Sequence, residues 1–335
     1  MKAIPRNSGE PAIGLEDVPA GTSVTVSCSA RLHLGFFDLD GGLGRRFGSI
    51  GLSLSGPVTS LTARRAATTR FAGPERERVA RYVALMNQRI GRSGGYEIEM
   101  RQAMPPHAGL GSGTQIALAV ATALRRLHDL PEDLRGDADH LGRGARSGIG
   151  IGLFSHGGLV IDGGKGNLPG PPPLLVRTPV PGAWRVLLVL DREREGLSGP
   201  RERDAFAALP PMDPGVSGTI CRLVLMQALP AMAEQDLPAF GAAITAMQQH
   251  VGDYFAPSQG GRFTSPLVAD AMQTLAEAGA TGIGQSSWGP TGFAFAANDH
   301  DARQFAAVLE QKGITKRLDL LICRVLNRGA SVTLA

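Results

Sequence analysis

Cysteine is scarce in this chain, and its scarcity argues against two classes of protein. Cys28, Cys221 and Cys323 are far apart, and no CxxC pair occurs. A disulfide scaffold or a structural zinc site needs paired or clustered cysteines. The sequence therefore predicts a protein of a reducing compartment, and we expect it in the cytoplasm.

Lysine, aromatic residues and long apolar runs are also few. Arginine supplies most of the 34 basic residues, the net charge is only +4, and aromatics make up 5%. No RNP-like aromatic motif or zinc-finger spacing accompanies this charge, so nucleic acid is not an expected partner. No run of 18 apolar residues occurs, so no membrane segment is expected. Arginine suits forked contacts with small anions such as phosphates and carboxylates.

Glycine, in contrast, is abundant, at 45 of 335 residues. Strand-like and helix-like segments mix without a regular βαβ alternation, which predicts an α+β fold rather than a doubly wound sheet. Residues 166–182 are proline-rich and are typical of an extended linker. We therefore expect an N-terminal domain over residues 1–182 and a C-terminal domain over residues 183–335.

The most distinctive stretch is MPPHAGLGSGTQIALAVATAL, residues 104–124. Its glycines alternate up to Gly113, and an alanine- and leucine-rich segment without proline or glycine follows. This pattern predicts a tight turn that opens a buried helix, whose free N–H groups and partial positive charge suit a phosphate. An ordinary capped helix after a loop is the alternative. The spacing is neither a Walker A loop nor the GxGxxG of a Rossmann unit.

Four other segments contain unusual polar and glycine patterns. Residues 142–164 include nine glycines in 23 positions, which predicts close backbone approach rather than an ordinary strand or helix. EGLSGPRERDAF begins at residue 195, after an apolar strand. YFAPSQGGRFT, residues 254–264, reads as a loop between helices. GQSSWGPTGFAFA, residues 284–296, reads as a glycine-flanked turn and a strand.

Together these segments resemble the GHMP kinase superfamily. PPHAGLGSGTQ resembles its phosphate loop, ARLHLGFFD stands where its first motif lies, and GQSSWGPTGFAFA resembles its third motif. The order and spacing agree over nearly the whole chain. The resemblance implies an N-terminal domain like a ribosomal protein, containing the phosphate loop, and a ferredoxin-like C-terminal α+β domain.

One departure from the kinase pattern concerns Gly150. The superfamily's kinases carry a catalytic aspartate at this position, and a glycine has no carboxylate to orient a nucleophile. GRGARSGIGIGLFSHGGLVIDGG, EGLSGPRERDAF, YFAPSQGGRFTSP and GQSSWGPTGFA instead resemble the β-ribofuranosylaminobenzene 5′-phosphate synthase family, a branch without kinase activity.

The resemblance implies a reaction of 5-phosphoribosyl 1-diphosphate with 4-hydroxybenzoate or 4-aminobenzoate. A C-riboside 5′-phosphate forms, and CO₂ and diphosphate are released, in an early step toward tetrahydromethanopterin. Mg²⁺ is the implied cofactor, ATP is not expected, and a homodimer is the implied assembly. The sequence leaves open which of the two benzoates is used.

The implied chemistry assigns roles to particular side chains. Polar residues on a strand that leads into a glycine loop, in the phosphate loop, or after a buried strand are expected to be catalytic: Arg31, His33, His107 and Lys165. Carboxylates near the phosphate loop are expected to bind the metal: Asp38 and Asp162. Residues of the glycine-rich and arginine-containing loops are expected to bind substrates: Gly109, Gly111, Ser112, Gly113, Thr114, Arg146, Ser147, Arg192, Arg194, Ser198, Gln259, Arg262, Ser286, Ser287 and Trp288.

Several alternatives stay open from the sequence. An ordinary structural role suits most of these side chains too: a turn for Asp162 and Lys165, and core packing for Trp288. A general base would activate the hydroxybenzoate, and His33, His107 and His156 all lie near motifs. A small-molecule kinase and a non-catalytic ligand-binding protein of the same fold are the two competing functions.

Overall fold

The structure is a computed structural model that describes residues 21–92, 94–197 and 199–335. Ser198 lies outside the described residues. The strands are β1 (Ser23–Asp38), β2 (Phe47–Ala66), β3 (Arg70–Ala72), β4 (Gly95–Gln102), β5 (Leu159–Asp162), β6 (Leu174–Thr178), β7 (Arg185–Asp191), β8 (Thr281–Gln285), β9 (Thr291–Ala296), β10 (Leu318–Arg324) and β11 (Ser331–Leu334).

The α-helices alternate irregularly with these strands. They are α1 (Arg76–Ile90), α2 (Ser112–Leu127), α3 (Leu134–His140), α4 (Ile149–His156), α5 (Gly199–Ala208), α6 (Pro214–Leu223), α7 (Leu229–Glu234), α8 (Leu237–Gln259), α9 (Pro266–Glu277) and α10 (Asp299–Gln311). A π-helical turn, Val224–Ala228, joins α6 to α7, and a 3₁₀ turn, Ile314–Lys316, precedes β10.

The first sheet is built on the long strand β2. β2 pairs with β1 on one side, and on the other side with β5 through its first half and β4 through its second half. β3 and β6 extend the two outer edges, and β11 pairs with β1. The last residues of the chain are therefore part of the N-terminal sheet.

The second sheet has the strand order β10-β7-β9-β8, all antiparallel. This is the order of a ferredoxin-like βαββαβ unit, in which helices connect β7 to β8 and β9 to β10. The predicted α+β class and the ferredoxin-like C-terminal unit are confirmed.

The prediction that residues 142–164 avoid helix was wrong. α4 forms within this stretch because its start is held by side chains: the Asp162 carboxylate accepts from Gly148 N at 2.8 Å, and Ser147 Oγ accepts from Ile149 N at 3.3 Å. Its apolar residues are buried. A Cβ at Gly152 would lie 2.7 Å from Leu174, so this glycine serves close packing of helix on strand.

Two other boundaries also differ from expectation. The predicted loop at residues 254–264 is shorter, because α8 continues to Gln259 with Phe255 buried in the core. The predicted linker at residues 166–182 contains β6, which pairs with β5. Most of its prolines therefore lie in the connection between two paired strands, β5 and β6, rather than in an unpaired linker.

The two sheets meet at the middle of β1. Val24, Val26 and Cys28 of β1 pack in a core around α2, whereas Leu32 and Leu34 pack in a second core with β7, α6 and α8. Arg31 lies where one core gives way to the other, next to an irregularity in the β1–β2 register. This position brings β1, α2 and the second sheet to one place.

One continuous helical segment, residues 214–234, is long and apolar enough by composition to span a bilayer, with a mean hydropathy of 1.4. Ile220, Val224, Ala228 and Met232 from this segment belong to the core shared with α8. Its apolar character is therefore used, at least on one side, for packing inside the protein.

Candidate active site

The predicted glycine turn opens directly into α2. Gly111 is the N-cap residue, with φ 81°, and it has no side chain that could satisfy the first N–H groups of the helix. A left-handed backbone of this kind favours glycine. The N-terminus of α2 is thus an uncapped, partially positive end of a helix of 16 residues.

The third motif, which belongs to the second sheet, binds the phosphate loop through two hydrogen bonds. Ser286 Oγ donates to Gly109 O at 2.9 Å, and Thr291 Oγ1 donates to Ala108 O at 2.7 Å. A Cβ at Gly109 would lie 2.2 Å from Ser286 O, and one at Gly289 would lie 2.3 Å from Ala108 O. The two glycine-rich turns therefore need their glycines for each other's close approach.

A cavity of about 640 Å³ opens in front of the α2 N-terminus. Its lining joins the phosphate loop, β1, α1, α5 and the third motif. Nine of the residues predicted from sequence line it: Arg31, His107, Gly109, Gly111, Ser112, Gly113, Thr114, Ser287 and Trp288.

Two arginines lie beside the start of α2. The side chain of Arg31 lies against Gly111, where a Cβ would be 2.4 Å from its Cγ, and Arg143 Nη1 lies 3.1 Å from the Cβ position at Gly113. Arg31 Nη1 and Arg143 Nε are buried and have no hydrogen-bond partner among the described residues. Burial lowers the pKa of Arg31 to about 10, opposed by the charge of Glu202. Unsatisfied guanidinium donors beside a helix N-terminus form a site for an anion.

Glu202 is a partly buried carboxylate among the arginines of this cavity. Its Oε2 accepts from Arg146 Nη2 at 3.0 Å, and the Arg146 guanidinium lies 4.7 Å from the Phe206 ring centre. Burial raises the pKa of Glu202 above its ordinary value, and the charges of Arg146, Arg31 and Arg143 oppose that rise. Arg146, which was predicted to bind substrate, does not line the cavity itself. It contacts Glu202, which does.

A narrow crevice adjoins the cavity behind Trp288. Of the predicted residues, His33, Gln259 and Arg262 line it, with Ser287 and Trp288 shared between the two spaces. His33 Nε2 and Trp288 Nε1 are buried there without partners in the described part of the chain. Burial, aided by the charge of Arg31, lowers the pKa of His33 well below its usual range, so its imidazole is neutral.

Trp288 both packs in the core and forms part of the cavity wall. Its ring packs against Phe255, with ring centres 4.2 Å apart, and against Phe206 at 5.3 Å. It also lines the cavity. Ser286 lies just behind this surface, where its Oγ accepts from His33 N at 3.1 Å.

Asp162 and Ser147 lie elsewhere, in a hydrogen-bond cluster that holds α4. Asp162 Oδ2 accepts from Ser49 Oγ at 2.5 Å and Ser147 Oγ at 3.2 Å, and Gly148 N and Gly164 N also donate to this carboxylate. Burial raises its pKa, and these four donors oppose the rise. Neither residue lines the cavity.

The remaining predicted residues also have partners outside the cavity. Asp38 Oδ1 accepts from Asp40 N and Gly41 N in a turn, and Lys165 Nζ donates to Leu168 O and Gly170 O. Arg192 pairs with Asp319, and Arg194 Nη1 donates to Thr264 O at 2.8 Å. His156 is exposed at the end of α4.

Magnesium does not fit the two carboxylates predicted for it. The oxygens of Asp162 are taken by four protein donors. Asp38 Oδ1 accepts from two N–H groups of its own turn, and Asp38 does not line the cavity in front of α2. Within residues 21–92, 94–197 and 199–335, no three His, Cys, Asp or Glu side chains converge on one point. At the start of α2, the side-chain oxygens available to a metal ion are the hydroxyls of Ser112 and Thr114.

Sequence reasoning missed five charged residues of the cavity. Two of them, Arg143 and Glu202, lie inside the quoted segments GRGARSG and EGLSGPRERDAF, but nothing local distinguishes them from their neighbours. The other three are on α1, where no local motif distinguishes them from other charged residues of a helix: Glu77, Arg78 and Arg81.

Comparison with known proteins agrees with this geometry. The GHMP kinases N terminal domain model matches residues 77–158, and the GHMP kinases C terminal model matches residues 228–315. A β-ribofuranosylphenol 5′-phosphate synthase of Archaeoglobus fulgidus is 35% identical over 321 residues, covering 90% of this chain and 97% of that protein. This chain belongs to the β-ribofuranosylphenol 5′-phosphate synthase family. The synthase of Methanothermobacter thermautotrophicus is 31% identical over 287 residues, covering 79% and 86% of the two chains.

Solved structures show the fold that the family shares with kinases. Homoserine kinase from Cytophaga hutchinsonii superimposes with a TM-score of 0.64 at 16% identity, covering 97% of this chain and all of that one. The resemblance stated from sequence is thus confirmed for fold and family. Gly150 faces Thr114 at the start of α2, where a Cβ would lie 3.1 Å from the threonine methyl group. The residue that carries the aspartate in the kinase pattern therefore does lie beside the phosphate loop, but here it is a glycine without a carboxylate.

Proposed function

We propose that this chain transfers a phosphoribosyl group from 5-phosphoribosyl 1-diphosphate to 4-hydroxybenzoate. The C1–oxygen bond to diphosphate breaks, a bond forms between ribose C1 and the ring carbon bearing the carboxylate, and CO₂ leaves. The electron pair of the broken carbon–carboxylate bond restores the aromatic ring, so no external oxidant or proton is needed. The family's name specifies a phenol, which favours 4-hydroxybenzoate over 4-aminobenzoate.

The observation that supports this proposal most is the uncapped α2 N-terminus between Arg31 and Arg143. A leaving diphosphate gains negative charge as the C1–oxygen bond lengthens. Fixed N–H groups and two guanidinium groups with free donors stabilise that charge more in the transition state than in the bound donor.

Glu202 stabilises positive rather than negative charge in this proposal. Ribose C1 becomes cationic as diphosphate leaves, and the Glu202 carboxylate in the cavity wall stabilises that charge. Arg146 and Phe206 fix the carboxylate in place. A preorganised charge of this kind typically contributes on the order of 10²-fold to the rate.

Magnesium remains a proposal for this chain. Mg²⁺ is commonly held by phosphate oxygens with few protein ligands, and the Ser112 and Thr114 hydroxyls would supply the latter here. When bound, it would neutralise charge on the departing diphosphate. Chelation by EDTA is expected to abolish the reaction and added Mg²⁺ to restore it, whereas undiminished activity in EDTA would contradict this role.

Four further expectations stay predictions: a homodimer, a cytoplasmic location, no use of ATP, and a place in tetrahydromethanopterin synthesis. Sedimentation of the purified protein tests the first. A kinase activity is not favoured, because Gly150 leaves the α2 start without a carboxylate to activate a hydroxyl.

The test is release of labelled CO₂ from carboxyl-labelled 4-hydroxybenzoate and 4-aminobenzoate, each with Mg²⁺ and 5-phosphoribosyl 1-diphosphate. The proposal predicts release from 4-hydroxybenzoate that requires the donor and does not occur with ATP alone. No release from either acid, by protein with a cooperative unfolding transition, would contradict it.

A further inference from the structure

The cavity has a second charged side, away from the start of α2. Glu77, Arg78 and Arg81 of α1 all line it. Arg81 follows Arg78 and Glu77 by three and four residues, so it is the neighbour of both on the next turn of the helix. The mechanism above uses none of the three.

Arg143 connects this side to the diphosphate end. Its guanidinium carbon lies 5.4 Å from the Tyr82 ring centre, and that of Arg81 lies 5.2 Å from the same centre. Arg143 also donates to the Tyr82 hydroxyl, which in turn donates to Gly113 O at 3.2 Å. The Tyr82 side chain therefore contacts both arginines, and its hydroxyl connects Arg143 to the start of α2.

The charges of this group are only partly neutralised. Arg78 pairs with Glu75, with Nη1 and Oε2 3.1 Å apart. Among the described residues, no carboxylate lies within ion-pair distance of Arg81 or Arg143, and no cation pairs with Glu77. Arg81 and Arg143 outnumber Glu77, so the group keeps a net positive charge that favours binding of an anion.

We propose that this group, the α1 face (Glu77, Arg78 and Arg81) together with Arg143, binds the ribose 5-phosphate end of the donor. The inference rests on the proposed function. The donor has two anionic ends joined by a ribose, and the cavity has two cationic sides joined by Arg143. Arg81 binds the phosphate monoester, Arg143 lies between the two anionic ends and contributes its charge to both, and the Glu77 carboxylate accepts hydrogen bonds from the ribose hydroxyls.

This assignment explains how one phosphate loop serves a donor that is not a nucleotide. The α2 start recognises only a diphosphate, which many metabolites share. The α1 face adds recognition of a phosphate monoester at the other end of a pentose. The cavity would therefore discriminate against diphosphates whose far end is uncharged.

Calorimetry with two separate fragments of the donor tests the assignment. Arg81→Gln is expected to weaken binding of ribose 5-phosphate about tenfold, the loss typical of one charge-assisted contact, and to raise KM for the donor similarly. Binding of inorganic diphosphate should change less than about twofold, and kcat should stay within about threefold, because the diphosphate end is untouched.

Arg76→Gln is the matched control. Arg76 is exposed on the same helix and does not line the cavity, and its substitution removes the same charge. Both variants alter exposed side chains, so both should fold. Equal effects of the two variants on ribose 5-phosphate would overturn the assignment, as would an equal loss of diphosphate binding in Arg81→Gln.

Failure of the inference and failure of the proposed function give different results. Wild-type protein that neither binds the donor nor releases CO₂ rejects both. Wild-type protein that is active, with Arg81→Gln and Glu77→Gln indistinguishable from Arg76→Gln, rejects only the α1 subsite. Glu77→Gln is expected to weaken ribose 5-phosphate about tenfold while leaving inorganic phosphate unchanged, because its partner is the sugar.

Discussion

Two glycine-rich regions of this chain have opposite uses for their polar groups. In residues 104–114 the glycines expose an uncapped helix end to a cavity, and Arg31 and Arg143 beside it retain buried donors without partners. In residues 147–165 the glycines allow close approach of the chain's own backbone, and Asp162 accepts hydrogen bonds from four protein donors.

The difference teaches what a glycine-rich motif indicates. Glycine shows that something approaches the backbone closely, but the partner can be a ligand or another part of the same protein. Unsatisfied donors distinguish the two cases, because a folded protein rarely buries a charged group without a partner unless a ligand supplies one. Mutations in the two regions should therefore separate activity from stability.

Arg31→Gln should give the largest effect on activity. We expect kcat/KM for the donor to fall on the order of 10³-fold, because transition-state charge on the diphosphate loses a preorganised guanidinium. The free energy of unfolding of the variant should equal or exceed that of the wild type. Burial holds the folded pKa of Arg31 near 10, below its ordinary value, so the charged form opposes folding at neutral pH. Steady-state kinetics and urea unfolding measure the two quantities; a large loss of stability would contradict the account.

Glu202→Gln should lower kcat on the order of 10²-fold without raising KM for the donor. The variant also tests the pH dependence. Because burial raises the pKa of Glu202 above 4.5, activity should fall as the pH drops through that raised value and the carboxylate becomes neutral. The acid limb of kcat/KM should disappear in Glu202→Gln; an unchanged limb would assign it to another group.

Asp162→Ala should affect stability instead. Removing the carboxylate leaves the buried donors of Ser49, Gly148 and Gly164 without their acceptor, and we expect a loss of about 3 kcal/mol in the free energy of unfolding. At a temperature where the variant is folded, kcat/KM should stay within about tenfold of wild type. A loss of activity in fully folded protein would return Asp162 to the list of metal ligands.

Lys165→Met should have the smallest effect. Lys165 holds a turn through two backbone carbonyls and does not line the cavity, so kcat should change less than about threefold. The same assay serves for this variant and for Arg31→Gln. If the two lose activity equally, the contrast between the regions fails.

Local pattern was enough for the parts of the site that neighbouring residues build. The turn at Gly109–Gly113 could be predicted because glycine spacing and the apolar helix that follows are consecutive in sequence. The third motif could be predicted for the same reason, and Ser287 and Trp288 line the cavity as expected.

The rest depended on contacts between distant segments. Arg143 reaches the cavity only because α1 and Tyr82 lie against the start of α2, and Glu202 only because α5 packs over Arg31 and Arg146. A carboxylate at the end of a buried strand has the same local sequence whether it meets a metal or a backbone N–H. Asp162 was therefore predicted as a metal ligand from a pattern that hydrogen bonding to α4 also explains.

The most direct test of the contrast is a crystal structure of the protein with 5-phosphoribosyl 1-diphosphate and benzoate, which lacks the para hydroxyl group that activates the ring. The account predicts the diphosphate at the N-terminus of α2 between Arg31 and Arg143. A diphosphate bound in residues 147–165, against Asp162 and Lys165, would contradict it.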